Sequence, residues 1–179
     1  MKIRQNLGTA FAAIAILWLV YFLNLILEID LRLYGIVPRD IDGLIGILAA
    51  PFLHVDIQHL TANSGVLFIL LAVSLSYSRA QTLKAVLIMV ILGGGMVWLL
   101  GTGGTIHIGG SGIIFGLIGY LMCLGFFRRN WKAVMISVAI TILYGGALYS
   151  LLIYIPGISW SGHLFGFVSG VVAAWWVRN

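Results

Sequence analysis

Apolar runs, interrupted by charges, glycines or prolines, divide the chain into six segments: 10–27, 60–77, 85–100, 112–127, 133–155 and 160–177. At a rise of about 1.5 Å per residue they cover about 24–35 Å, and each, with a few flanking residues, reads as a helix crossing a hydrocarbon layer about 30 Å thick. The first run follows Lys2 and Arg4 as a secretory leader would, but it is long, and "LNLILEID" offers no small-residue cleavage site. It is read as a retained helix. The pattern predicts an all-α, polytopic membrane protein with residues 1–179 forming a single six-helix bundle. Only the connection 28–58 is long, and its own apolar stretch "LIGILAAPFL" is expected to lie along the interface or pack on the bundle.

Composition strengthens the membrane reading, since 61% of residues are hydrophobic and 8% charged, against about a quarter charged in soluble domains. A lone Cys123 inside a span excludes an intramolecular disulfide and a cysteine-based metal site. The net charge of +5 does not point to nucleic acid, because the bases sit at the ends of apolar runs. Lys2 and Arg4 precede the first span, Arg79 and Lys84 join the second to the third, and Arg128, Arg129 and Lys132 join the fourth to the fifth. Arg178 follows the sixth. The positive-inside rule makes these segments, and both termini, cytoplasmic. The opposite connections "GTGGTIHIGG" and "PGIS" carry no charge, and every acid (Glu28, Asp30, Asp40, Asp42, Asp56) lies in or beside the long first loop.

Distance to the next cytoplasmic base then serves as a depth gauge. Ser111 precedes Arg128 by 17 positions, His163 precedes Arg178 by 15, and Asn63 precedes Arg79 by 16. All three therefore lie about 22–26 Å above the inner anchors, a few Å below the outer surface. His59 is one turn above Asn63 on the same helix face. Polar groups at that depth are costly unless paired or hydrated, and their common level points to a site. Each alone has a commoner explanation: a serine bonding a backbone carbonyl, or a His or Asn linking two helices.

Glycine spacing says how these residues could meet. Gly162, Gly166 and Gly170 recur every fourth residue in the sixth span, as do Gly112 and Gly116 in the fourth. Such ridges let backbones approach closely in lipid, and packing alone accounts for them. Close approach is also what a short serine needs to reach an imidazole on another helix. Within "HIGGSGIIFG", Ser111 opens a helix where backbone N–H groups lack partners and the dipole is positive, a place suited to stabilising an oxyanion. Gly109 and Gly110 permit unusual torsions and leave room for substrate. The same stretch reads as an N-cap serine after a glycine loop, which is the commoner arrangement. No carboxylate follows Asp56, itself readable as a helix cap, so a serine hydrolase here would use a Ser111–His163 dyad.

At these residues the chain resembles the rhomboid family of intramembrane serine proteases. The matching elements are "HLTAN", "GGSGIIFG" and "SGHLFGFVSG", in the family's order, together with the first-loop run "YGIVPRD…APFLHVDIQHL". The resemblance implies the minimal six-helix rhomboid core, with Ser111 as nucleophile and His163 as general base. It places His59, Asn63 and the Ser111 N–H around the oxyanion, bordered by Gly109, Gly110 and Phe115. It further implies transmembrane protein substrates, no cofactor, a bacterial inner membrane and a site facing the outer side. A target helix would enter beside the fifth span, with "PGIS" and the glycine-rich loop as gate. Two features depart from many relatives: Phe115 replaces a tyrosine, and the first loop lacks a tryptophan–arginine pair.

Three other classes compete. His54, His59, His107 and His163 all fall toward the outer side and could bind haem or metal, yet two belong to loops and no intramembrane carboxylate assists. A chaperone-like relative would grip helices without the dyad, whereas both dyad residues are present. A channel or transporter would be expected to show intramembrane charges or a repeat.

Overall fold

The computed structural model describes residues 2–153 and 159–178. Its architecture is all-α, and among the described residues the one β-type pairing is an isolated antiparallel bridge between Ile36 and His107. The first helix, α1 (Lys2–Ile26), begins earlier than its apolar run. Its polar first turns find partners on the next helix, where Asn6 Nδ2 donates to the Leu75 carbonyl at 3.0 Å.

Asp56 opens α2 (Ile57–Ile88) as expected, its carboxylate accepting the His59 N–H at 2.7 Å. This helix covers parts of two predicted spans because regular hydrogen bonding resumes on both sides of a break. Ser78 takes extended torsions (φ −159°, ψ 106°). The Ser74 and Thr82 hydroxyls then meet at 2.8 Å, although eight residues of unbroken helix would separate them by about 12 Å. The chain therefore turns sharply at Ser78, and runs 60–77 and 85–100 form separate arms. The second arm passes through a π-helical turn, Met89–Gly93, into α3 (Gly94–Leu100).

Helix α4 (Ser111–Arg128) is the centre of the protein. Its apolar window is 56% buried, against 11% for α1 and 6% for residues 131–151, so α4 faces protein while the others face lipid. Leu117, Leu121 and Leu124 on α4 and Leu60 and Leu70 on α2 are fully buried. Lipid is as apolar as leucine, so helix association here depends on close van der Waals packing. The glycine ridges provide it against α6 (Trp160–Trp176): a Cβ on Gly166 or Gly170 would collide with the carbonyl oxygens of Gly112 and Gly116.

The fifth span is shorter as an α-helix than expected. Helix α5 (Trp131–Tyr144) tightens into a 3-10 segment, Gly145–Leu151, and the end of the predicted span at 154–155 lies outside the described residues. The first loop packs on the bundle through short turns spanning Asp42–Phe52. In place of a tryptophan–arginine pair within the loop, two residues from different elements hold it. Arg39 donates its N–H to the Trp98 carbonyl at 2.9 Å and its guanidinium to the Gly101 carbonyl at 2.8 Å, while the Trp98 indole donates to the Asp40 carbonyl at 2.7 Å. The cation thus caps the negative end of α3.

At the other end of the bundle, side chains in and beside the basic connections bond from one helix to another. Arg79 donates to Thr9 at 2.6 Å, Asn130 to the Tyr77 hydroxyl at 3.0 Å, and Arg128 to the carbonyls of Val177 and Arg178.

Candidate active site

The site is built around the glycine turn that feeds α4. Gly109 has φ +116°, which side-chain-bearing residues rarely adopt, and a Cβ there would stand 2.8 Å from His59 Cε1. Its N–H donates to the Ala50 carbonyl at 2.9 Å, tying the turn to the first loop. Gly110, not Ser111, is the N-cap, and no side chain caps this helix. Ser111 is therefore the first helical residue, which removes the N-cap reading of its hydroxyl. It is half-buried, and its backbone N–H belongs to the first turn, where intrahelical acceptors are lacking.

A cavity of about 770 Å³ opens beside it. Ser111 and Phe115 from α4, His59 and Asn63 from α2, and His163 from α6 all line this space. Of the residues assigned from sequence to the dyad and the oxyanion site, Gly109 and Gly110 are absent from its wall; Gly109 instead borders a second cavity of about 60 Å³ that Ser111 also reaches. The Phe115 and His163 rings stack with centroids 4.0 Å apart and planes at 16°. His163 Nδ1 is buried and has no hydrogen-bond partner among the described residues. No hydrogen bond joins Ser111 to His163 among the described residues; both open into one chamber, and catalytic hydrogen bonds in substrate-free sites are often long.

His54, which the sequence reading placed only among possible haem ligands, organises one wall. Its Nε2 faces Asn63 Nδ2 at 3.1 Å and the Gly110 N–H at 3.4 Å. Both partners are donors, so Nε2 accepts, the proton resides on Nδ1, and Nδ1 donates to the Phe52 carbonyl at 3.3 Å. Burial, followed by the nearby His59 ring, holds the His54 pKa down at about 4, which keeps it neutral. The His54 and His59 rings meet edge to face at 5.2 Å. The available signal was spacing: His54 lies nine residues before Asn63, at the entrance of the same helix.

Both ring nitrogens of His54 and of His107 are engaged in hydrogen bonds, and among the described residues no group of three His, Cys, Asp or Glu could hold an ion. Of the gate segment "PGIS", residues 156–158 lie outside the described residues; Ser159 borders the cavity.

A sequence profile of the Rhomboid domain matches residues 42–179. The chain belongs to the rhomboid family. This rhomboid is 37% identical over 175 residues to an uncharacterized protein of Mycobacterium tuberculosis, covering 93% of this chain and 73% of the relative. It is 36% identical over 185 residues to one from Mycobacterium leprae, covering 97% and 73%. No solved structure matches. Membership makes the protein an integral membrane protein of a family of intramembrane serine proteases.

Proposed function

We propose that this rhomboid is an intramembrane endopeptidase that hydrolyses peptide bonds in or near transmembrane segments through a Ser111–His163 dyad. The observation that carries the reading is the shared chamber: Ser111 at the first turn of the central helix and a stacked, half-unpartnered His163 open into the same space. Ser111 Oγ attacks the scissile carbonyl carbon while His163 takes the hydroxyl proton. The resulting oxyanion lies near the Ser111 N–H, His59 and the Asn63 amide, which has a second N–H beyond the one given to His54. One such donor is worth about 3–4 kcal/mol of barrier. His163 returns the proton to the leaving amine, and water then hydrolyses the acyl ester by the same route in reverse.

The acid-free, base-rich end supports placing both termini in the cytoplasm of a bacterial inner membrane, with six spans in one domain and the chamber toward the outer side. Residues 131–151 are almost unburied by the protein, which supports α5 as the side where a substrate helix enters. His163 must be neutral to act as base, so cleavage falls in acid. Cleavage of a reporter transmembrane protein in liposomes tests the reading: Ser111→Ala and His163→Ala each abolish it, and labelling by a fluorophosphonate requires both residues. Undiminished proteolysis by Ser111→Ala overturns it.

A further inference from the structure

His107 stands where three parts of the chain meet. Its backbone exchanges two hydrogen bonds with Ile36 of the first loop, both 2.9 Å. Its ring lies between Thr105 and Ser159, with Nε2 3.0 Å from the Thr105 hydroxyl and Nδ1 2.7 Å from the Ser159 hydroxyl. Ser111 follows His107 by four residues, and His163 follows Ser159 by four. One imidazole therefore bridges the loop leading to one dyad residue and the helix start leading to the other.

The protons in this bridge have a single consistent order. Thr105 donates to the Thr102 carbonyl at 2.7 Å, so its oxygen accepts from Nε2–H. Nδ1 is then the acceptor, and the Ser159 hydroxyl donates to it. The Ser159 oxygen in turn accepts the Gly162 N–H at 3.1 Å, capping α6, and the Ser159 carbonyl accepts the His163 N–H at 3.1 Å. Every donor in the chain meets one acceptor when His107 is neutral, and burial of the ring favours that form.

Below this level α4 and α6 touch backbone to backbone at their glycines, and the side-chain hydrogen bonds from Arg128 to the Val177 and Arg178 carbonyls lie at the far end of α6 from His163. Among the described residues, the His107–Ser159 bond is the one side-chain hydrogen bond between the segment preceding Ser111 and α6. The pair also stands beside the nucleophile position: His107, Ser159, Ile108 and Ser111 line both the large cavity and the small one.

We propose that His107 is a positioning residue that, through its hydrogen bond to Ser159, orients the first turn of α6 and with it the imidazole of His163 toward Ser111. The inference rests on the dyad reading above. The test uses the full chain in detergent and reads the rate at which a fluorophosphonate labels Ser111, alongside the melting temperature. His107→Phe keeps a ring without nitrogen, and Ser159→Ala removes the hydroxyl. His107→Asn places a side-chain carbonyl near the position of Nδ1.

His107→Phe and Ser159→Ala are each expected to slow labelling about tenfold, and the double variant no further than either alone. His107→Asn recovers most of the rate at a melting temperature matching that of His107→Phe, a split that a purely structural role does not produce. With a cleaved reporter, kcat falls while KM holds. Wild-type labelling by His107→Phe, no gain from Asn over Phe, or multiplying effects in the double variant each overturn the proposal while leaving the dyad intact. A wild-type protein whose Ser111 does not label overturns the dyad reading and this inference with it.

Discussion

Phe115 lies flat against His163, ring centroids 4.0 Å apart and planes 16° from parallel. The two side chains come from α4 and α6, so the stack crosses the glycine-lined contact that brings those helices together. Phe115 is one helical turn beyond Ser111, so a single face of α4 presents both the hydroxyl and the surface on which the imidazole rests. With no partner for Nδ1 among the described residues, the stack is what holds the face of the ring.

Replacing Phe115 by alanine removes that restraint. An aromatic pair contributes about 0.5–1.5 kcal/mol beyond its buried area, so Phe115→Ala should slow Ser111 labelling and reporter cleavage by up to about tenfold. Phe115→Tyr keeps the stack and should label at a rate close to wild type. Equal rates for phenylalanine and alanine would show that the ring is held by other contacts.

The α4–α6 seam should be intolerant of a single methyl. A Cβ at Gly170 overlaps the Gly116 carbonyl, a backbone atom that cannot swing aside, and overpacking costs about 1–3 kcal/mol. Gly170→Ala is expected to lower the detergent melting temperature by several degrees and to reduce labelling. Gly65→Ala is the control, because a Cβ there meets nothing within 4 Å and alanine is the better helix former by about 1 kcal/mol. Its melting temperature should hold or rise. Equal tolerance of the two substitutions would refute the close-approach account.

Much of this fold is legible because lipid leaves so few alternatives. Apolar runs of spanning length must be helices, and bases mark one end. The Gly112/Gly116 and Gly166/Gly170 ridges and the Asp56 cap followed from spacing alone. The turn at Ser78 falls where Arg79 and Lys84 separate two apolar runs, but the π-helical turn at Met89–Gly93 did not follow, because Gly93 and the glycines after it lie inside a continuous apolar run. Among the residues lining the chamber, Ser111, Asn63 and His163 stand out by their shared depth and His59 by lying one turn above Asn63. His54 and His107 do not stand out in this way, because depth is defined only along helices, and their partners Gly110 and Ser159 come from 56 and 52 residues away.

His54 carries a prediction about stability and pH. Its folded pKa of about 4 lies below the usual 6.5, so between those values the unfolded chain binds a proton that the folded one does not. Stability therefore declines as pH drops from about 6.5 toward 4. Melting curves should show this decline, and His54→Asn should flatten it. At neutral pH His54→Ala leaves the Gly110 N–H and one Asn63 N–H without a partner, each costing about 1–3 kcal/mol if it stays dry. A melting temperature unchanged by His54→Ala would mean that water replaces the ring.

Arg39 is a case where backbone and side chain pull in opposite directions, and substitution separates them. Its φ of +62° lies in the left-handed region, which costs a side-chain-bearing residue about 1–2 kcal/mol. Its guanidinium offsets that cost by bonding the Gly101 and Leu99 carbonyls at the end of α3. Arg39→Ala keeps the strain and loses the bonds, so it should destabilise the first loop and speed limited proteolysis within 28–58. Arg39→Gly loses the same bonds but relieves the strain, and should be cut more slowly than the alanine variant. If alanine and glycine were cut at the same rate, the torsion would not be strained in solution, and the guanidinium alone would anchor the loop.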